Sequence, residues 1–252
     1  MITAMVLAGG NGTRVGEDCP KQFVKVLGKP VLVYAIEIFQ NHPEVDAVEV
    51  VCHKDWIDSL QEMIRKYHLT KVKWVVAGGE NFQKSVLNGL ERLKKEINLE
   101  DYVLIHYGAS PFTSDKIVTD VIRVTKEKGS AVTSTPCYQL MGSNDIDGTS
   151  RSWVDRDQYI QIASPYGFQF SYLCDIYERA EQKGLIETTD PHTTSLMYAL
   201  GDTVYQAYGD QTNIKITTKE DLKLFETWKP DVVLYEEGLD QEVLLQAAEA
   251  IA

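Results

Sequence analysis

The sequence predicts an α/β fold in which a mostly parallel sheet is covered by helices on both faces. Short apolar, β-branched runs alternate along the chain with longer segments whose apolar residues recur at helical spacing. Several of the runs end at glycines or polar residues, where a parallel sheet places its ligand-binding loops. With 252 residues, 44% of them hydrophobic, the chain suits one large domain with some elaboration.

The predicted elements alternate regularly through the first half of the chain. Strands are predicted at residues 2–7, 47–52, 72–77, 102–106, 131–135 and 203–207. Helices are predicted at residues 30–40, 56–67, 85–97, 115–128, 170–183 and 219–228. The loops that follow strands, at residues 8–16, 78–84 and 107–112, are therefore the ones expected to bind ligands.

The segment at residues 137–162 interrupts this alternation. It is polar and rich in Gly, Ser, Asn and Asp, which predicts a protruding arm rather than another strand–helix unit. The last residues are acidic and then helical in pattern, at 241–251. The predicted organisation is a domain at residues 1–228 that carries the arm, followed by a helical C-terminal extension at 229–252.

Composition narrows the class of protein. A net charge of −12 and a pI of about 4.9 disfavour nucleic acid and anionic membranes as partners. Cys19, Cys52, Cys137 and Cys174 are too far apart in sequence for a zinc knuckle or a redox pair, so reduced thiols are expected. The N-terminus lacks a basic signal region, and no apolar stretch is long enough to span a membrane. We therefore expect a cytoplasmic protein.

The glycine-rich loop LAGGNGTRVG follows the first predicted strand. Its glycines allow backbone N–H groups to approach phosphate oxygens, and Arg14 and Lys21 add positive charge. The loop is not a Walker A sequence, because no GK[ST] closes it, and Val15 stands where a Rossmann fingerprint needs its third glycine. The alternative interpretation is a glycine-rich turn stabilised by Arg14. The sequence favours a cradle for a polyanion on an otherwise acidic molecule.

Further motifs follow this loop in a recognisable order. They are PKQF, GGENFQKSVLNGL, IHYGASPF, VDRDQY, ASPYGF, TTD and NIKITTKEDL. Together with LAGGNGTRVG, they resemble the polyol-phosphate cytidylyltransferases, which include the methylerythritol-phosphate and ribitol-phosphate enzymes. LAGG and HKDWID resemble the ribitol branch slightly more. The resemblance covers about residues 1–228.

The resemblance implies a fold, a reaction and an assembly. The fold is a Rossmann-like nucleotidyltransferase sheet, and the enzyme is a homodimer in which an arm of one subunit completes the site of the other. The reaction transfers CMP from CTP to a polyol phosphate and releases pyrophosphate, with Mg²⁺ as cofactor. Cell-surface polymer or isoprenoid precursor synthesis is the implied setting.

The resemblance also implies roles for individual residues. The triphosphate is expected to bind Gly10, Gly12, Arg14 and Lys21, and the nucleoside to bind Ala8, Gly9, Gly79 and Ser85, with Gly108 in the same cofactor-binding set. Lys215 is expected to meet the attacking phosphate, and Arg156 to reach that phosphate from the partner subunit. The alternatives are solvated lysines at Lys21 and Lys215, an ordinary surface arginine at Arg156, and a helix N-cap at Ser85.

The sequence departs from the family pattern at positions in the active-site loops. Tyr107 takes the place of a metal-binding aspartate, and a phenol is a poor Mg²⁺ ligand at neutral pH. Ser110 and Phe82 each replace an arginine, and Ala163 and Tyr166 replace two glutamines. The metal ligands are therefore undefined.

These departures leave alternatives open. The acceptor could be a different phosphorylated molecule, Asp190 or Asp210 could bind Mg²⁺ instead, or the protein could bind nucleotide and catalyse little. A sugar-1-phosphate nucleotidyltransferase that uses UTP or GTP ranks last. His106 and His192 are interpreted as hydrogen-bonded structural residues, because no spacing such as HExxH supports zinc.

Overall fold

The computed structural model describes residues 1–10 and 19–227 of the chain. Within these residues, a sheet of seven strands has the order β5-β4-β1-β6-β8-β7-β9. The strands are β1 (Ile2–Ala8), β4 (Ala47–Cys52), β5 (Val72–Ala77), β6 (Tyr102–Tyr107), β7 (Ser130–Pro136), β8 (Ile160–Gln169) and β9 (Gln206–Tyr208). A small hairpin of β2 (Lys25–Val26) and β3 (Lys29–Pro30) stands apart from this sheet.

The helices lie between the strands in sequence. They are α1 (Val31–Asn41), α2 (Ile57–Lys66), α3 (Phe82–Leu93), α4 (Asp115–Lys128), α5 (Phe170–Gln182), α6 (Thr193–Leu200) and α7 (Lys219–Thr227). Short 3-10 helices cover Lys21–Phe23, Lys54–Trp56 and Arg156–Gln158. In the described part of the chain, none of the helices is both long and apolar enough to cross a bilayer.

β1 lies at the point where the strand order reverses. It pairs in parallel with β4 on one side and with β6 on the other, so that Leu7 is level with both Val51 and Tyr107. In an open parallel sheet, the crevice beyond the carboxyl ends of two such strands is the usual place for a ligand. Among the described strands of the seven-stranded sheet, β8 alone runs antiparallel to both of its neighbours.

Two apolar clusters cover the two faces of the sheet. Along β1, Ala4 and Val6 contribute to one cluster and Met5 to the other, because successive strand residues point to opposite faces. Buried residues of α1, α2 and α4 pack in the first cluster, and those of α3, α5 and α6 pack in the second. The predicted mostly parallel α/β sheet with helices on both faces is therefore confirmed.

α3 begins three residues before its predicted start at position 85. Asn81 is the N-cap, and its side-chain oxygen accepts a hydrogen bond from the backbone N–H of Lys84 at 2.9 Å. Ser85 lies inside the helix, where its hydroxyl donates to the carbonyl oxygen of Asn81 at 2.7 Å. The alternative interpretation of Ser85 as an N-cap was therefore wrong.

β8 and α6 were not predicted as elements. β8 begins at Ile160 and takes the last residues of the predicted arm, so residues 137–159 connect β7 to β8. This connection contains an isolated antiparallel bridge between Gly142 and Trp153. It also exposes large apolar side chains, including Leu140 at 77% and Trp153 at 69%. The domain boundary stays a prediction, because the proposed extension at 229–252 lies outside the described residues.

Candidate active site

A cavity of about 510 Å³ opens at the carboxyl end of β1. We call it the first cavity. Seven of the predicted catalytic and nucleotide-binding residues line it: Ala8, Gly9, Gly10, Lys21, Gly79, Ser85 and Lys215. These residues thus line one cavity, and their roles in binding stay predictions. Gly12 and Arg14 lie outside the described residues.

Close backbone contact between two loops shapes the first cavity. A Cβ atom added to Gly78 would lie 3.2 Å from the Cα atom of Gly9, and one added to Gly79 would lie 2.5 Å from Cβ of Lys84. A larger residue at Gly78 would therefore force the loops after β1 and β5 apart, and one at Gly79 would clash with the first turn of α3. The hydroxyl of Ser85 accepts a hydrogen bond from the N–H of Gly79 at 3.1 Å and holds the second loop to α3.

Gln22 supports the loop after β1 from beneath. It is buried, and its side-chain amide donates hydrogen bonds to the carbonyl oxygens of Ala8 and Gly10, both at 2.8 Å. Two backbone acceptors at the end of β1 are thereby satisfied. The PKQF motif contains Gln22, but no local sequence signal marks its role, because its two partners lie 14 and 12 residues away.

Lys21 connects the glycine-rich end of β1 to the segment before α7. Its ammonium group donates a hydrogen bond to the carbonyl oxygen of Ile216 at 2.6 Å, and the neighbouring Lys215 also lines the first cavity. Two cationic side chains thus meet in one cleft of a molecule with a net charge of −12. Such local positive charge suits an anionic ligand.

A second cavity, of about 400 Å³, adjoins the first. Its lining is rich in hydroxyl and amide side chains, namely Ser110, Thr133, Ser134, Thr135, Gln161, Ser164, Tyr166, Gln211 and Asn213. Tyr107, His192 and Lys215 line both cavities, and we call these three residues the shared wall. A ligand in one cavity can therefore meet a ligand in the other at this wall.

Hydrogen bonds and ring contacts fix the shared wall. The hydroxyl of Tyr107 lies 2.9 Å from that of Tyr166 and 2.6 Å from Nδ1 of His192. The ammonium of Lys215 stands 4.2 Å from the centre of the Tyr107 ring, an arrangement in which the ring face attracts the cation. Phe82 packs beside this group, with ring centres 5.9 Å from Tyr107 and 5.6 Å from His192.

The two titratable rings of the shared wall are held neutral at physiological pH. Burial is the main cause that raises the pKa of Tyr107, and the neighbouring Tyr166 adds to it. Burial also lowers the pKa of His192; Lys215 lowers it as well, while Asp190 acts in the opposite direction. The interpretation of His192 as merely structural was incomplete, because this residue lines both cavities.

His106 has the structural role expected of it. It is fully buried, its Nε2 lies 2.9 Å from the carbonyl oxygen of Ser110, and its Nδ1 lies 3.0 Å from the hydroxyl of Ser164. Burial lowers the pKa of His106 to about 4. A neutral ring with Nε2–H donating to Ser110 and Nδ1 accepting from Ser164 satisfies both contacts, and it supports two residues of the second cavity.

Two of the predicted site residues line neither cavity. Arg156 is exposed in the arm, where its guanidinium donates to the carbonyl oxygen of Tyr138 at 2.5 Å. Gly108 instead has a packing role, because an added Cβ would lie 2.7 Å from a methyl group of Leu32 and 3.2 Å from Cβ of Ala8. The expected contact of Gly108 with a nucleotide is not supported by this position.

The carboxylates considered as metal ligands do not converge. Asp190 is 70% exposed and lies 3.5 Å from Nε2 of His192. Asp210 lines the second cavity, and one of its oxygens accepts from the backbone N–H of Thr212 at 3.0 Å. Within residues 1–10 and 19–227, no three His, Cys, Asp or Glu side chains are grouped as a metal site would require.

A glycine-lined, lysine-bearing cavity at the switch point of a mostly parallel sheet defines the class of protein, which is an α/β nucleotidyltransferase. The chain belongs to the family described as IspD: 2-C-methyl-D-erythritol 4-phosphate cytidylyltransferase, whose model matches residues 2–228. The family resemblance read from the motifs is therefore confirmed.

Individual relatives support both branches of that resemblance. The chain is 38% identical over 228 residues to a protein of Lacticaseibacillus paracasei named ribitol-5-phosphate cytidylyltransferase. The aligned region covers 90% of this chain and 97% of that protein. It is 35% identical over 225 residues to a protein of Clostridium novyi named 2-C-methyl-D-erythritol 4-phosphate cytidylyltransferase, with coverage of 89% and 94%.

A solved structure supports the fold. The crystal structure of the 2-C-methyl-D-erythritol 4-phosphate cytidylyltransferase of Francisella tularensis matches with a TM-score of 0.74 at 24% identity, over 89% of this chain and 97% of that one. The Rossmann-like nucleotidyltransferase architecture is thereby confirmed.

Proposed function

We propose that this protein transfers CMP from CTP to the phosphate of a polyol phosphate and releases pyrophosphate. CTP occupies the first cavity, where Gly10 and Lys21 receive its phosphates and Gly9 lies against its nucleoside. The polyol phosphate occupies the second cavity. The observation that carries the proposal is the shared wall, because Lys215 lines both cavities and can contact a phosphate from each side.

The reaction needs no covalent intermediate with the protein. An oxygen of the acceptor phosphate attacks the α-phosphorus of CTP in line, and a new P–O bond forms. The bond from the α-phosphorus to the oxygen that bridges to the β-phosphate breaks, and its electron pair leaves with pyrophosphate. The protein mainly positions the reactants and neutralises charge. Lys21 binds the triphosphate, and Lys215 binds the attacking phosphate of the acceptor.

Ribitol 5-phosphate is the acceptor that we propose first. The ribitol-5-phosphate cytidylyltransferase of Lacticaseibacillus paracasei is 38% identical to this chain, against 35% for the methylerythritol-phosphate enzyme of Clostridium novyi. The hydroxyl and amide groups of the second cavity also suit a chain of alcohol groups. We propose a cytoplasmic enzyme of cell-surface polymer synthesis, with isoprenoid precursor synthesis as the alternative setting.

We also propose a homodimer in which Arg156 serves the partner's acceptor phosphate. Arg156 lines neither cavity of its own chain, and its arm exposes Leu140 and Trp153. Exposed apolar side chains of this size often mark a protein contact. We expect Trp153→Glu to shift the sedimentation of the protein from dimer to monomer, whereas Leu99→Glu, at an exposed leucine outside the arm, leaves it unchanged.

The described residues do not fit a protein-bound Mg²⁺. Mg²⁺ prefers carboxylate oxygens, whereas the family's aspartate position holds Tyr107, which is neutral and hydrogen-bonded to Tyr166 and His192. We propose that Mg²⁺ enters with the phosphates of CTP and gains no ligand from Tyr107, and no step above depends on it.

The direct test is release of pyrophosphate from CTP. We expect release with ribitol 5-phosphate in the presence of Mg²⁺, and none with unphosphorylated ribitol. Methylerythritol 4-phosphate and glycerol 3-phosphate test acceptor choice, and UTP and GTP test base choice. Failure to release pyrophosphate with any acceptor would contradict the proposal and favour a protein that binds nucleotide without catalysis.

A further inference from the structure

His192 lies on the shared wall but has no role in the reaction above. The loop that carries it is held in place, because the buried Gln83 donates hydrogen bonds to the carbonyl oxygens of Asp190 at 3.1 Å and Thr189 at 3.4 Å. The backbone N–H of His192 also donates to the carbonyl oxygen of Asp190 at 2.7 Å. The imidazole is therefore presented from a fixed backbone.

Its surroundings select one tautomer. Nδ1 lies 2.6 Å from the hydroxyl of Tyr107, whereas Nε2 lies 3.5 Å from a carboxylate oxygen of Asp190. A lone pair on Nε2 would be repelled by that carboxylate, so the proton belongs on Nε2. Tyr166 then donates to Tyr107, and Tyr107 donates to Nδ1, which satisfies all the buried hydroxyls.

The second cavity lacks the cation that its family position would supply. Ser110 stands where the family pattern has an arginine, and the serine is almost fully buried. Among the described residues that line this cavity, Lys215 alone is a lysine or arginine. His192 lines the same cavity. Its Nε2 lies 3.5 Å from the carboxylate oxygen of Asp190, which is too far for a strong hydrogen bond, so the N–H group can still donate to a ligand.

We propose that His192 donates a hydrogen bond from Nε2 to the phosphate of the acceptor, beside Lys215. It is a binding residue that takes over part of the recognition lost at Ser110, and Tyr107 is the positioning residue that fixes its tautomer. This inference rests on the proposed function, because it assumes that a phosphorylated acceptor occupies the second cavity. The ligand is a phosphate monoester of a small polyhydroxylated molecule.

The first arm of the test needs no catalysis. Long-range proton–nitrogen NMR of the full chain, with His192 assigned from His192→Gln, reports the protonation of each ring nitrogen. We expect Nε2 to carry the proton, and its signal to shift on addition of ribitol 5-phosphate but not of ribitol. His53, which lines neither cavity, is the internal control. A missing Nε2 proton, or an unchanged signal, overturns the inference.

The second arm separates acceptor binding from nucleotide binding. His192→Ala removes a hydrogen bond to a charged group, so we expect KM for ribitol 5-phosphate to rise by roughly 10-fold to 100-fold. We expect KM for CTP to stay within about twofold of the parent value. His192→Gln keeps an N–H near the position of Nε2 and restores part of the loss. An unchanged acceptor KM in an active His192→Ala enzyme overturns the inference but leaves the proposed function intact.

The third arm tests how the tautomer is fixed. Tyr107→Phe removes the donor to Nδ1, so we expect a mixture of tautomers in the NMR spectrum and a raised acceptor KM. Tyr166→Phe leaves the bond from Tyr107 to His192 in place and should have a smaller effect on both. Equal effects of the two variants would contradict the positioning role of Tyr107. If the parent enzyme turns over no acceptor, the proposed function fails, and the NMR arm alone decides whether His192 binds phosphate.

Discussion

The two cavities are built from different material. The first is lined in part by backbone alone, at Gly9, Gly10 and Gly79, whereas the second has no glycine among its described lining residues and presents hydroxyl and amide side chains such as Thr133 and Gln161. Such a backbone surface binds phosphates through N–H groups, so its chemistry depends on the positions of the glycines that expose them. A side-chain surface can change its ligand by single substitutions, and this chain carries its departures from the family pattern mainly at and around the second cavity.

The largest expected effect is a loss of kcat when the cation Lys21 of the first cavity is removed. We expect Lys21→Met to lower kcat for CMP transfer by roughly 100-fold to 1000-fold, since it removes one preorganised donor to the transition state. The variant should remain folded by circular dichroism. Lys25→Met, at an exposed lysine of β2 that lines neither cavity, is the matched control. A kcat for Lys21→Met within a few fold of the parent would contradict the role of the first cavity.

A second test concerns His106, which is hydrogen-bonded to Ser110 and Ser164 of the second cavity. Burial lowers the pKa of His106 from 6.5 to about 4, so the folded state binds this proton less readily than the unfolded chain. The contribution of His106 is therefore fully present above pH 6.5 and is lost as the pH falls from 6.5 towards 4. Over this window, the free energy of unfolding should fall by about 3 kcal/mol from this group.

Chemical denaturation at a series of pH values measures this loss. His106→Gln keeps an amide donor for Ser110 and an oxygen that can accept from Ser164, but it does not titrate. We therefore expect the difference in stability between the parent and His106→Gln to shrink or reverse as the pH falls. A constant difference between pH 7 and pH 4 would show that His106 does not titrate in this range.

The smallest expected effect is a change in metal affinity when Tyr107 of the shared wall is replaced. Tyr107→Asp introduces a carboxylate where the family pattern has one, and we expect it to tighten Mn²⁺ binding by roughly tenfold in the presence of CTP. Electron paramagnetic resonance counts free Mn²⁺ directly and does not depend on turnover. Tyr107→Asn loses the same ring without gaining charge. Equal Mn²⁺ affinities of the two variants would mean that this position does not face the metal.

Much of the fold could be predicted because the sequence signals are local. The apolar runs of β1, β4 and β6, and the helical spacing of α1 and α4, match their predicted positions to within one residue at either end. β8 could not be found in the same way. It runs antiparallel between β6 and β7, and its residues from 164 to 168 are all buried, so that half of the sequence IQIASPYGFQ shows no alternation. The strand also lacks a continuous β-branched run.

The site likewise contains residues that local sequence signals predict and residues that they do not. The glycines and Lys21 could be predicted because backbone approach leaves a sequence signature, and Lys215 because it belongs to the NIKITT motif. Gln22 and His192 act through tertiary contacts with residues 12 to 85 positions away, which no local pattern encodes. Gly108 shows the converse difficulty, because a glycine next to a ligand loop can be required by packing, here against Leu32.

The placement of two lysines inside a cleft of a strongly acidic protein has a consequence for the speed of substrate capture. At long range the molecule repels CTP and a sugar-alcohol phosphate, and attraction begins only close to the cleft. Dissolved salt screens the long-range repulsion over about 8 to 10 Å at physiological ionic strength. Association should therefore quicken as ionic strength rises from very low values, the reverse of an enzyme that steers anions electrostatically.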